Sequence, residues 1–302
     1  MKYHRPVLLQ KIIEFLDPAP GKLFIDATVG GGGHTFELLR RGGKVLGIDR
    51  DPEAIEHIKK SQKSKVESQK LVLVCGNFSQ IGEIAESEGF DKVSGILFDL
   101  GVSSHQLEEA RRGFSFIREG PLDMRMDPSL NIRAFDLINN FDKRRLNEIF
   151  KTYSQEELSW PIADDICRAR QVKPIETTTE LAGIVEAVYK RHIKRKYRGP
   201  QAKFGVKKLH PATKTYLALR IVVNSELLNL EDSLPQTVDL LEKGGRLVIV
   251  SYHSLEDKIV KRFFKREAKL EVLTQKPIGP ENSEIEANLR ARSAKLRVAQ
   301  RI

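Results

Sequence analysis

An aspartate followed by a run of glycines marks where this chain could do chemistry. Asp26 precedes Gly30-Gly31-Gly32-Gly33-His34, further carboxylates stand at Asp49 and Asp99, and an aromatic stands at Phe78. Consecutive glycines let a backbone turn sharply from strand into helix and let a ligand lie against the main chain. Asp49 follows Gly30 by nineteen residues, the spacing at which a carboxylate ending a second strand accepts hydrogen bonds from ribose hydroxyls. A dinucleotide fingerprint fails, because its third glycine would fall on Thr35 or Phe36. Asp26, just ahead of the loop, suits an ammonium group better than a pyrophosphate, and Phe78 can flank an adenine. The expected cofactor is therefore S-adenosyl-L-methionine, with its ammonium, sulfonium and adenosine, rather than NAD. Each aspartate alone reads equally well as a helix cap. Their succession carries the functional reading.

Short apolar runs without alternation must position these residues. Leu23–Thr28, Lys44–Asp49, Leu71–Cys75 and Val93–Leu100 have the pattern of parallel strands covered on both faces. Helical patterns at His34–Arg41, Pro52–Ser61 and Ser79–Glu88 separate them. The alternation predicts an α/β fold, a Rossmann-like methyltransferase core with a doubly wound, mostly parallel sheet that gathers ligands at the carboxyl ends of its strands. From about Gln106 to His210 no core strand is evident, and helices are expected at Asp142–Tyr153, Gln155–Arg170 and Thr179–His192. Residues 106–210 thus read as an inserted all-helical domain for substrate recognition, and residues 1–105 and 211–302 as the core. The second part of the core is expected to carry a helix at Ala212–Leu230, a strand at Gly245–Ser251 and a helix at Leu255–Arg266, with late strands at Leu270–Leu273 and Ala294–Ala299.

Composition narrows the class. Two cysteines, Cys75 and Cys167, argue against a disulfide scaffold and agree with a reducing cytoplasm, and neither has a partner at metal-ligand spacing. No metal is expected. No apolar stretch is long enough to span a bilayer, and the first residues lack signal-peptide character. The net charge of +10 is concentrated: eleven Lys and Arg and no acid lie between Glu186 and Glu226, and five more follow Glu286. Such a distribution suits a polyphosphate partner through counterion release, with Lys194, Arg195, Lys196, Arg198, Lys207 and Lys208 as RNA-binding candidates. A solvated basic face is the equal alternative, and an anionic membrane surface fits less well because no amphipathic face is evident.

Long blocks in order carry a resemblance. HRPVLLQ (His4–Gln10), DATVGGGGHT (Asp26–Thr35), GIDRDPEAI (Gly47–Ile55) and FDLGVSSHQLEEARRGFSF (Phe98–Phe116) come first. PLDMRMD (Pro121–Asp127), HPATKTYLALRIVVNSEL (His210–Leu227) and GGRLVIVSYHSLEDKIVKRFF (Gly244–Phe264) follow, and NLRARSAKLRVAQR (Asn288–Arg301) closes the chain. Nearly end to end, the chain resembles the RsmH (MraW) family. The resemblance implies an S-adenosylmethionine-dependent enzyme that methylates N4 of a cytidine, the decoding-site position 1402, in bacterial 16S ribosomal RNA. By position, it implies cofactor contacts at Gly32, Gly33, His34, Asp49, Phe78, Asp99 and Gln106. The implied partner is 16S rRNA within the small ribosomal subunit, with oligomeric state left open. The family's tyrosine-glycine-glutamate-glutamate stretch appears here as Tyr153-Ser154-Gln155-Glu156-Glu157, one residue longer.

A cytosine N4 amine is a weak nucleophile because its lone pair is delocalised into the ring. Accepting its hydrogens and aligning it with an electrophilic methyl can contribute on the order of 7–11 kcal/mol, so no covalent nucleophile is required. Asp99, or carbonyls within Asp99–Val102, would accept from the amine; alternatively Asp99 only orients the cofactor. His253, in the SYHSLED block, is a second catalytic candidate, or else a helix cap. Arg111 and Arg112 would bind phosphate over the pocket. Phe114 and Phe116 either stack on a base or anchor their loop. Two other functions compete: methylation of another RNA, DNA or protein substrate, and a non-enzymatic RNA-binding assembly role. The intact glycine loop with Asp49 and Asp99 argues against the latter.

Overall fold

A computed structural model of the chain describes residues 6–61, 70–196 and 210–302. It divides into two compact units, Met1–Ser103 with Leu227–Ile302, and Ser104–Glu226. The first unit holds a seven-stranded sheet with β1 at Leu23–Asp26, β2 at Lys44–Asp49, β3 at Leu71–Cys75 and β4 at Val93–Asp99. The later strands are β5 at Leu241–Ser251, β6 at Leu270–Val272 and β7 at Lys295–Arg301. Their order is β3-β2-β1-β4-β5-β7-β6. The five strands from β3 to β5 are parallel, and β7 runs antiparallel to both of its neighbours. This is a Rossmann-like, mostly parallel sheet with one inverted strand.

Alternate residues of each central strand feed opposite apolar layers. Ile25, Leu46, Ile48, Ile96, Phe98, Leu247 and Ile249 enter one layer. Phe24, Val45, Leu97, Val248 and Val250 enter the other. Burial on both faces explains why the strands show no polar alternation in sequence. Helices α1 (Leu9–Leu16), α2 (Gly33–Arg40), α3 (Pro52–Ser61) and α4 (Ile81–Ser87) belong to this unit. The register sets Asp26 beside Gly47 and Leu97, Asp49 beside Cys75, and Asp99 beside Val250. Three aspartates therefore end three strands at one sheet edge.

The second unit is helical, as its lack of strand pattern implies. It comprises α5 (Ser104–Glu108), α6 (Ala134–Asn140), α7 (Lys143–Ser154), α8 (Ser159–Ala169), α9 (Thr178–Lys196) and α10 (Ala212–Asn224). Its interior is built from fully buried Leu146, Phe150, Ile162, Ile166, Val185 and Leu219. Leu219 lies on α10, so α10 belongs to this unit, whereas the sequence pattern assigns everything from 211 onward to the core. The single helix expected at Ala212–Leu230 is two. Ser225 adopts a left-handed conformation with φ of +49° and ends α10, and α11 (Glu226–Leu240) starts immediately after it. Just past the break, Glu226 accepts from Arg220 Nε at 2.8 Å and from its Nη2 at 2.9 Å. The expected Leu255–Arg266 helix is α12 (Ser254–Arg266), and α13 (Asn282–Ala287) completes the set. Among the described residues no helix is long and apolar enough to cross a membrane.

Candidate active site

The glycine loop joins β1 to α2. Gly30 and Gly32 have φ of +49° and +80°, where side chains are disfavoured. A Cβ on Gly32 would come within 2.7 Å of the Phe36 ring, and one on Gly33 within 3.1 Å of Pro6. At Gly30 an added Cβ would meet only the Thr28 carbonyl oxygen, at 3.7 Å, so the loop is open on that side. Its amide donates to Asp49 Oδ2 at 2.8 Å, and the Asp51 amide donates to Asp49 Oδ1 at 2.9 Å. Asp49 thus ties the loop to the end of β2, and each oxygen retains a second lone pair. Burial pushes its carboxyl up to about 6, against the pull of the two amides.

Asp26 is held within the loop itself. It is 1% exposed. Its Oδ2 accepts from the Thr35 hydroxyl at 2.6 Å and its Oδ1 from the Thr28 amide at 3.2 Å. Each oxygen thus takes one donor from within the loop, so Asp26 braces the turn.

Asp99 is half-buried at the end of β4. Its amide donates to Thr28 Oγ1 at 2.7 Å, which fixes its backbone to the loop. The Tyr252 hydroxyl donates to Asp99 Oδ1 at 2.7 Å. Asp99 Oδ2 lies 3.8 Å from His34 Nδ1, while His34 Nε2 meets the Val7 carbonyl at 3.0 Å. A carbonyl only accepts, so Nε2 carries a proton and Nδ1 is the nitrogen turned to Asp99. Burial pushes the Asp99 carboxyl above its ordinary value, with His34 and then Tyr252 opposing the shift. His34 is itself buried, with both ring nitrogens facing groups of the same unit.

His253 caps α12. The Glu256 amide faces His253 Nδ1 at 3.5 Å, His253 Nε2 lies 3.1 Å from Glu256 Oε1, and Glu256 Oε2 accepts from the His253 amide at 3.3 Å. This capping box is the helix-cap alternative open to His253, with Nδ1 turned to its own helix and the buried Nε2 making no hydrogen bond among the described residues. Tyr252, one position earlier, is the side chain that reaches Asp99.

Phe78 opens a single 3₁₀ turn after β3 and packs edge-on against Phe98, with centroids 5.5 Å apart. Gln236 on α11 secures that turn, its amide donating to the Ser79 carbonyl at 2.7 Å and accepting from the Gly82 amide at 2.9 Å.

The remaining expected residues belong to the second unit. Gln106 is buried on α5. Arg112 is 6% exposed, and its guanidinium donates to the Arg125 and Met126 carbonyls at 3.1 and 2.9 Å. It organises the loop that carries them. Arg111 is exposed and lies 3.3 Å from Glu109. Phe114 is buried, and Phe116 stacks on His210 with centroids 4.4 Å apart, so both anchor their loop. Lys194, Arg195 and Lys196 end α9, while Arg198, Lys207 and Lys208 lie outside the described residues. Nearby cations are matched locally: Lys190 pairs with Glu186 at 3.2 Å, Arg191 with Asp165, and Lys214 donates to the Gln155 carbonyl at 3.0 Å.

An open glycine loop with Asp49 and Asp99 half-buried beside it fits a cationic adenosine ligand. Residues 1–302 match the model of the MraW methylase family. The chain belongs to the MraW methylase family. Relatives named ribosomal RNA small subunit methyltransferase H match it along almost its whole length. The Persephonella marina protein is 45% identical over 307 residues, covering 100% of both chains. The Deinococcus radiodurans protein is 46% identical over 298 residues, covering 99% of this chain and 89% of its own. The Thermomicrobium roseum protein is 42% identical over 320 residues, with 99% and 94% covered. This MraW methylase is an S-adenosylmethionine-dependent methyltransferase with a Rossmann-like core. Sequence reasoning on it misses Tyr252, Thr28 and Gln236. The cap pattern His253-Ser-Leu-Glu256 is the signal that would assign the histidine to its helix and leave its neighbour as the residue to watch.

Proposed function

We propose that this chain transfers a methyl group from S-adenosylmethionine to the exocyclic N4 of a cytidine, at position 1402 of 16S ribosomal RNA in the small subunit. The observation that carries the reading is Asp99: a half-buried carboxylate beside the glycine loop, with one oxygen held by Tyr252 and its basicity raised by burial. Asp49 accepts from the ribose hydroxyls, Phe78 flanks the adenine, and the Gly32–Gly33 main chain lies along the ligand. His34 acts through Asp99 rather than by direct contact. When bound, the donor supplies an electrophilic sulfonium methyl. Asp99 accepts a hydrogen bond from the amine, which localises the nitrogen lone pair for in-line attack. With the donor bound, methyl transfer would leave the nitrogen with a proton to lose, and Asp99 would accept it. The relatives' name supports a small-subunit rRNA substrate, and the family resemblance supports the base amine and its position.

The helical unit, with Gln106 near its start and its basic stretch, is the proposed RNA-recognition unit. Mass mapping of 16S rRNA from a strain lacking the gene tests the reading: one cytidine methyl should vanish and return only with the wild-type copy. Retention of that methyl would end it. Asp99→Asn should lower turnover at saturating donor while donor affinity holds. A collapse in affinity with unchanged turnover would reduce Asp99 to a cofactor-orienting residue.

A further inference from the structure

Tyr252 is placed with more care than a packing residue needs. Its ring lies against the apolar layer that holds Val250 and Leu296, and only its hydroxyl turns to a charged group. The turn between β5 and α12 that delivers it is locked by Glu256, which is 3% exposed. Glu256 Oε2 accepts from the Tyr252 amide at 2.8 Å. Burial pushes the phenol well above its ordinary value, and the Asp99 carboxylate adds to the shift, so the hydroxyl remains a donor at every working pH.

We infer that Tyr252 is a positioning residue for methyl transfer: it occupies Asp99 Oδ1 and thereby fixes Oδ2 as the oxygen that receives the amine hydrogen. The inference rests on the reading of Asp99 as the amine's acceptor. An aspartate held only through its backbone can swing about its side-chain torsions and present either oxygen, and a misaligned acceptor leaves the lone pair delocalised. With Oδ1 bound, the plane of the carboxylate is set by a partner that is itself set by Glu256. Charged and titratable groups face Asp99 from three elements: His34 on α2, Asp26 at the end of β1, and Tyr252 with Glu256 after β5. Glu284 on α13 faces Tyr252. Among these, the Tyr252 hydroxyl can be removed without changing charge or volume appreciably.

The test is Tyr252→Phe, Asp99→Asn and the double variant, measured by single turnover at saturating S-adenosylmethionine on small subunits from a strain lacking the gene. Loss of a hydrogen bond to a charged group predicts a rate about 10- to 100-fold lower for Tyr252→Phe, with donor Kd and melting temperature close to wild type. The acid limb of its pH–rate profile should move to higher pH, because ionised Asp99 loses a donor. In the Asp99→Asn background the same change should cost nothing further. Asp99→Asn slow beside Tyr252→Phe at the wild-type rate overturns the inference alone. A full further loss in the double variant, or a rate loss explained entirely by weaker donor binding, also overturns it. Asp99→Asn at the wild-type rate removes the reading of Asp99 and this inference with it. Should Tyr252→Phe not fold, 3-fluorotyrosine at position 252, a stronger donor, should move the acid limb to lower pH; a limb that stays put overturns the inference.

Discussion

At the scale of residues, Asp49 and Asp26 are bonded differently within one loop, and each gives a distinct test. Asp49 is the proposed ribose acceptor, and burial pushes its carboxyl up to about 6. A cationic donor and its ribose hydroxyls both favour the ionised form, so binding must expel a proton below that pH. Donor affinity should therefore weaken as pH falls through about 6, approaching tenfold per pH unit well below it. Calorimetric Kd values between pH 5 and 8 check this, and Asp49→Asn should both weaken binding and flatten the dependence. Asp26, in contrast, is occupied by Thr28 and Thr35. Thr35→Val strips a buried carboxylate of its hydroxyl partner and should cost about 1–3 kcal/mol in urea unfolding, since the desolvation penalty of the abandoned group is no longer offset. That contrast is not legible in the sequence. Both residues end strands, and only the folded loop shows that Thr28 and Thr35, two and nine positions away, claim the oxygens of Asp26.

At the scale of elements, β2 and β3 begin and end as their apolar runs predict; β2 is buried on both faces, while β3, at the sheet edge, is only partly covered. The helix α1 escapes the sequence pattern, since charged residues interrupt its buried Ile12, Ile13 and Leu16. The helix α11 is hidden by Pro235, which lies within it at an exposed position. Proline lacks the amide that a helix interior uses, so sequence reasoning stops there. Yet α11 matters to the site, because Gln236 follows that proline and clamps the turn bearing Phe78. Gln236→Ala frees the Ser79 carbonyl and the Gly82 amide together. It should cost about 1–3 kcal/mol of stability and weaken donor binding severalfold, with little change in turnover at saturating donor. Ser225 makes a complementary case: an L-residue at φ of +49° is strained, so Ser225→Gly should stabilise the protein by up to about 1 kcal/mol in the same assay.

At the scale of the whole molecule, charge and chain order are the features that matter. The excess of positive charge concentrates between Glu186 and Glu226; among its described members Lys190, Arg191 and Arg220 pair with acids and Lys214 with a carbonyl, and Lys194, Arg195 and Lys196 remain the proposed phosphate contacts. Replacing Lys194, Arg195 and Lys196 by Gln should reduce the slope of log affinity for rRNA against log salt by about 0.7–0.9 for each phosphate no longer neutralised. An unchanged slope removes them from the interface. Chain order imposes a second constraint. The strand β7 comes last in sequence yet lies between β5 and β6, and β5, which leads to Tyr252, pairs with β4 although the whole helical unit separates them in sequence. A growing polypeptide therefore carries the glycine loop long before it carries Tyr252, whose hydroxyl meets Asp99. A product released short of Lys295 would expose two bare strand margins, inviting clearance or clumping rather than persisting as a partial enzyme.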